Sequence, residues 1–212
     1  MNKLVGLKIL AGAVALALPL LASAESNVQT GAATAAPGAT AHVDFTVVIP
    51  KVLYLRVGTG SAYTTGALTS NGAIDLITFS PTAAQVGNGI AVPGTGGDLT
   101  GGVETAAVVS NSGNVTLNAT ATGALSDGAG DAISFAEIKT IASTLTSATA
   151  LPAPVLANAT SANVVLVAPA SKVIVQDAKW TYAYLNNAVV PGGTYGGVNV
   201  NNGRVVYTAT MP

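Results

Sequence analysis

Apolar and polar residues alternate along much of this chain. In Ala41–Ile49 (AHVDFTVVI), Val43, Phe45, Val47 and Ile49 fall on one face and His42, Asp44 and Thr46 on the other. This period of two predicts a strand. Pro50 interrupts it, because proline has no N–H to give to a ladder. A second apolar strand, Lys51–Val57, follows at once. The same pattern predicts strands over Ala73–Phe79, Val103–Val109, Asn114–Ala121, Asn163–Ala168, Lys172–Gln176, Ala178–Asn186 and Gly203–Met211. Ser110–Gly113 (SNSG) reads as a hairpin turn between two of them. Ile133–Ala142 fits either a strand or a short helical turn. About nine strands are joined by Gly, Pro, Asn and Ser turns, with no long helical period between them. The expected fold is therefore an all-β, antiparallel, immunoglobulin-like β-sandwich.

The first residues follow a different pattern. Met1–Ala24 has Lys3 and Lys8, an apolar core over Ile9–Leu21, and the small-residue end Ala22-Ser23-Ala24. These are the parts of a cleaved secretory signal, and the apolar core is shorter than the roughly 20 residues a bilayer requires. The expected mature chain starts at Glu25 and is exported by way of a periplasm. Residues 25–40 are small, polar and aperiodic, which predicts a flexible arm. Residues 41–212 then form a single sandwich domain, with 41–49 as its first strand or as a strand available for donation.

Composition narrows the function. Only 8% of the 212 residues are charged, against eight Lys/Arg and nine Asp/Glu in all, and half are hydrophobic. Eight cations are too few for a basic stripe, so no nucleic-acid partner is expected. With no cysteine and one histidine, disulfides and the common zinc constellations are excluded. No membrane span is expected in the mature chain.

Candidate chemistry is sparse. His42 and Asp44 share a strand face, but no nucleophile motif accompanies them. The nine carboxylates are scattered, and a glycosidase needs two facing each other. Asp127–Asp131 (DGAGD) resembles a calcium loop but reads better as a plain turn. Pro93–Gly102 (PGTGGDLTGG) lacks the lysine and the following helix of a phosphate loop. The expectation is no enzyme, no cofactor and no metal. Trp180, Tyr182 and Tyr184 lie on one strand face. They are either core or an aromatic platform for sugars, and the second option defines the alternative reading, a secreted carbohydrate-binding β-sandwich.

Both ends of the expected domain alternate strongly, which suits assembly by strand addition. The run VDFTVVIPKVLYLRVG (43–58) and the ending GGTYGGVNVNNGRVVYTATMP (192–212) resemble the ends of bacterial fimbrial major subunits. The likeness is to pilins of the cysteine-free colonisation-factor type, class 5 of the chaperone–usher systems. This chain is longer than most such pilins, and residues 25–40 add an arm ahead of the strand. The resemblance implies a structural or adhesive protein of the cell surface or a fimbrium, built by donor-strand complementation. Val43, Phe45, Val47 and Ile49 would be donated, unless the arm before them donates instead. Val205, Tyr207, Ala209 and Met211 would meet a periplasmic chaperone or a neighbouring subunit. The implied partners are copies of the chain or related subunits, a periplasmic chaperone, and a host or glycan receptor. The competing expectation is a self-contained sandwich in which both end strands pair within one chain.

Overall fold

Alternating Val, Leu, Ala and Thr runs form strands here because branched and small side chains suit a pleated surface buried on one face. The computed structural model describes residues 26–32, 38–58, 68 and 70–212. The expected signal, Met1–Ala24, and the expected mature start at Glu25 lie outside the described residues. The chain divides into two units, residues 1–49 and 50–212.

The second unit is all-β and antiparallel. Its strands are β1 (Leu53–Val57), β2 (Ile77–Thr78), β3 (Val92–Pro93), β4 (Thr95–Gly96), β5 (Val103–Ser110) and β6 (Val115–Ala121). They continue as β7 (Leu125–Ser126), β8 (Ala132–Ile133), β9 (Ile138–Ser143), β10 (Val164–Leu166), β11 (Ile174–Tyr184) and β12 (Val205–Thr210). One sheet runs β1-β5-β11, with β3 continuing beside the end of β11 and β9 on its far side. The other runs β10-β6-β12. Their facing sides share one core. Val108, Ile174, Ala178 and Trp180 come from the first sheet, and Val115, Leu117, Ala119 and Leu166 from the second. Sheets stacked in this way are the sandwich expected from the pattern.

Several local expectations change. Residues 41–49 form no strand. Their alternation is real, but none of the described residues pairs with them as a ladder. Ser110–Gly113 is a corner between sheets, not a hairpin. β5 already has β1 on one side and β11 on the other, so β6 must start the second sheet. The segments expected at Lys172–Gln176 and Ala178–Asn186 are one eleven-residue strand, β11. Asp177 was the apparent break. It is buried, and its carboxylate accepts the N–H groups of Thr146 and Ser147 at 2.9 and 2.8 Å. Burial works to raise its pKa, but the bonds from Thr146 and Ser147 bring it below the usual carboxylate value. Ile133–Ala142 holds both expected forms, a 3-10 turn at Phe135–Glu137 leading into β9. The loop after β9 contributes Leu151 and Leu156 to the core.

Candidate functional site

In a β-sandwich, the inward side chains of edge strands are covered by the facing sheet. Here β1 ends one sheet and β12 ends the other; they lie near each other, and no ladder joins them. On β1, Leu53, Leu55 and Val57 pack against the core and stay half-buried. On β12 and its continuation, Val205, Tyr207, Ala209 and Met211 do the same, while Val206, Thr208 and Thr210 face outward. Seven inward apolar side chains thus line a seam that is only partly covered.

The seam has a rigid floor. Trp180 is 0% exposed, and its Nε1 donates to the Leu151 carbonyl at 2.8 Å. Tyr207 leans on Trp180, with centroids 5.3 Å apart and planes at 45°, a tilted arrangement favoured by ring quadrupoles. The Tyr207 hydroxyl meets that of Tyr182 at 2.8 Å, tying the two sheets together. Burial pushes the Tyr207 phenol up to about 12 and the Tyr182 phenol well above its usual value. Both stay protonated and hydrogen-bonded at any physiological pH. Ser110 Oγ lies 3.5 Å from the Met211 sulfur, so β5 also steadies the end of the last strand.

Of the terminal residues singled out from sequence, the C-terminal four face the core and form one wall of this seam. The N-terminal four are solvent-exposed: Val43 is 72% exposed, Phe45 86%, Val47 81% and Ile49 75%. Exposure of four large apolar residues in one short run is unusual for a free surface.

The aromatic platform is overturned. Trp180, Tyr182 and Tyr184 are all buried, because their face of β11 is the one that packs on the second sheet. No ring there can stack on a sugar. His42 and Asp44 are exposed in the first unit. In the DGAGD segment, Asp127 Oδ1 accepts the N–H groups of Ala129, Gly130 and Asp131 at 2.8–3.1 Å. The carboxylate is engaged by its own turn, and those bonds lower its pKa. Among the described residues no group of three or more His, Asp or Glu could hold a metal ion, and no helix is long and apolar enough to cross a membrane. Pro93–Gly102 folds back on the sheet, where Gly102 accepts from the Tyr182 N–H at 2.9 Å. A shallow depression of about 320 Å³ lies at the start of β11, between Ser147–Thr149 and Val167–Val175, and its lining carries no charged side chain.

Two features escaped the sequence. Glu104 sits inward on β5, opposite Trp180. Burial, then the nearby Asp75 carboxylate, raises its pKa to about 8. Asp98 accepts the Thr105 N–H at 2.8 Å and so folds its loop over the outer side of β5. Asn111, in the corner after β5, is the second. Its Oδ1 accepts the Val52 N–H at 2.8 Å, its Nδ2 donates to the Pro50 carbonyl at 2.8 Å, and its own N–H donates to the Val52 carbonyl at 3.3 Å. No local pattern links Asn111 to residues some sixty positions earlier. Comparison of this chain with protein-family models, with curated proteins and with solved structures finds no match.

Proposed function

We propose that this protein is an exported subunit of a surface fibre, assembled by strand donation between copies of the chain. The observation that carries this reading is the pairing of two incomplete features. The seam between β1 and β12 leaves Leu53, Leu55, Val57, Val205, Tyr207, Ala209 and Met211 half-covered. Val43, Phe45, Val47 and Ile49 form an exposed, alternating run without a ladder. Four donor side chains two residues apart match the four on β12 and its continuation to Met211. An added strand would supply backbone hydrogen bonds, and its alternate side chains would enter the seam. Burying each large apolar side chain contributes about 1.5–3 kcal/mol. The resemblance of residues 43–58 and 192–212 to class 5 pilins supports the same reading, as does the pattern of an export signal at Met1–Ala24.

In this reading the seam is also where a periplasmic chaperone holds the subunit before assembly. A fibre of such subunits would serve adhesion to a host or glycan receptor through surfaces other than the buried aromatic face. Sedimentation of the purified mature protein tests the proposal, together with electron microscopy of producing cells with and without the gene. Fast-sedimenting polymers are expected from the unaltered chain, and monomers from the double variant Phe45→Asp, Val47→Asp. A chain that stays monomeric, or a double variant that polymerises as well as the original, would overturn it.

A further inference from the structure

Independently of strand donation, we propose that Asn71-Gly72 is a self-modifying site: Asn71 deamidates through a succinimide in the folded protein, while the fold holds the chain's two other Asn-Gly pairs unreactive.

The reaction needs only the chain and water. The Gly72 nitrogen gives up its proton and attacks the side-chain carbonyl carbon of Asn71. A C–N bond forms there, the bond to the side-chain nitrogen breaks, and ammonia leaves. Water then opens the five-membered imide at either carbonyl, leaving aspartate or isoaspartate. Nothing is oxidised or reduced. Glycine favours ring closure, because it has no Cβ to crowd the attack and turns freely into the conformation required.

The sequence holds three such pairs: Asn71-Gly72, Asn88-Gly89 and Asn202-Gly203. Solvent access does not separate the first two, since all four residues are exposed. Nor does the turn. The Ala73 N–H donates to Asn71 Oδ1 at 2.9 Å, and the Ile90 N–H donates to Asn88 Oδ1 at 2.9 Å. Such a donor polarises the side-chain carbonyl and stabilises the oxyanion that forms on attack.

The difference lies at the nucleophile. The Gly89 N–H donates to the Asn186 carbonyl at 3.0 Å, and the buried Asn186 also donates from Nδ2 to Asn88 Oδ1 at 3.2 Å. A bonded N–H resists ionisation and cannot swing toward the side chain. Gly203 is tied in the same way, donating to the Val200 carbonyl at 2.8 Å. The leaving nitrogen of Asn202 is held as well, donating to the Ala124 carbonyl at 2.9 Å. Among the described residues no acceptor takes the Gly72 N–H. A Cβ placed on Gly72 would meet no atom beyond its chain neighbours within 4 Å. This nitrogen can therefore turn and ionise. Each event adds one negative charge to a chain of formal net charge −1, on the segment leading into β2.

Peptide mass mapping of the purified mature chain, aged in mildly alkaline buffer, tests the proposal. A rising fraction of aspartate and isoaspartate is expected at Asn71. It should appear on isoelectric focusing as a more acidic band that Asn71→Gln abolishes. Asn88 and Asn202 can react only after a local opening, so each should deamidate at least about tenfold more slowly, as the loss of a hydrogen bond implies. In urea the three rates should converge. Equal rates at the three asparagines in the folded chain, an Asn71 that stays intact there, or a spread of rates that survives urea would each overturn the inference.

Discussion

Glu104 shows how much one side chain can decide. It is a carboxyl placed beside Trp180 on a core-facing position, with a pKa raised from 4.5 to about 8 by burial and by Asp75. A raised carboxyl pKa means that the folded state holds a proton the unfolded chain has released. Its stabilising contribution is complete below pH 4.5 and is lost as pH rises through about 8. Thermal melts should therefore show a falling Tm between pH 5 and pH 9. Glu104→Gln should flatten that slope and melt higher than the original at pH 9. Equal slopes for the two proteins would refute the assignment. Asn186 is a second such residue. It is buried, donates to the Gln85 carbonyl at 2.6 Å and accepts the Gly87 N–H at 2.8 Å. Asn186→Ala leaves those loop groups unpaired and should cost about 1–3 kcal/mol in urea unfolding. Neither residue was legible in the sequence. Each is defined by a partner on another strand or a distant loop, and a polar residue in a strand pattern reads as solvent-facing until its partner is known.

Elements were legible where local alternation and the pairing partner agreed. β1, β5, β6, β10 and β12 lie within one or two residues of their expected places. Failures came where tertiary pairing outweighed the local signal. Residues 41–49 carry the clearest alternation near the N-terminus and form no strand. β11 crosses Asp177 because Thr146 and Ser147 satisfy the buried carboxylate. Position in the sheets also ranks the strands by stability. β5 and β11 are flanked on both sides, whereas β1 and β12 are each paired on one side. Amide hydrogen exchange of the monomer should be slowest in β5 and β11 and markedly faster in β1 and β12. Under the proposed strand donation, β1 and β12 should gain the largest protection on polymerisation. A uniform gain over all strands would argue against docking at the seam.

For the whole molecule, the proposed strand donation would tie stability to association. A partner that binds only the folded state raises apparent stability by mass action. The Tm of the unaltered chain should therefore rise with protein concentration, and Phe45→Asp, Val47→Asp should lose that dependence. The weak charge of the chain, 8%, fits such a molecule: few like charges oppose close packing of copies, and few protect a lone edge. The sandwich class could be read from turn spacing and alternation. The seam could not, because it depends on which two strands end the sheets.

The contact of Tyr207 with Trp180 has a practical consequence. Trp180 is the chain's sole tryptophan, and the ring 5.3 Å from it belongs to an edge strand of the seam. The molecule thus carries a native optical probe at the place where a neighbour would dock. Emission excited at the indole should report subunit capture in real time, without any label attached.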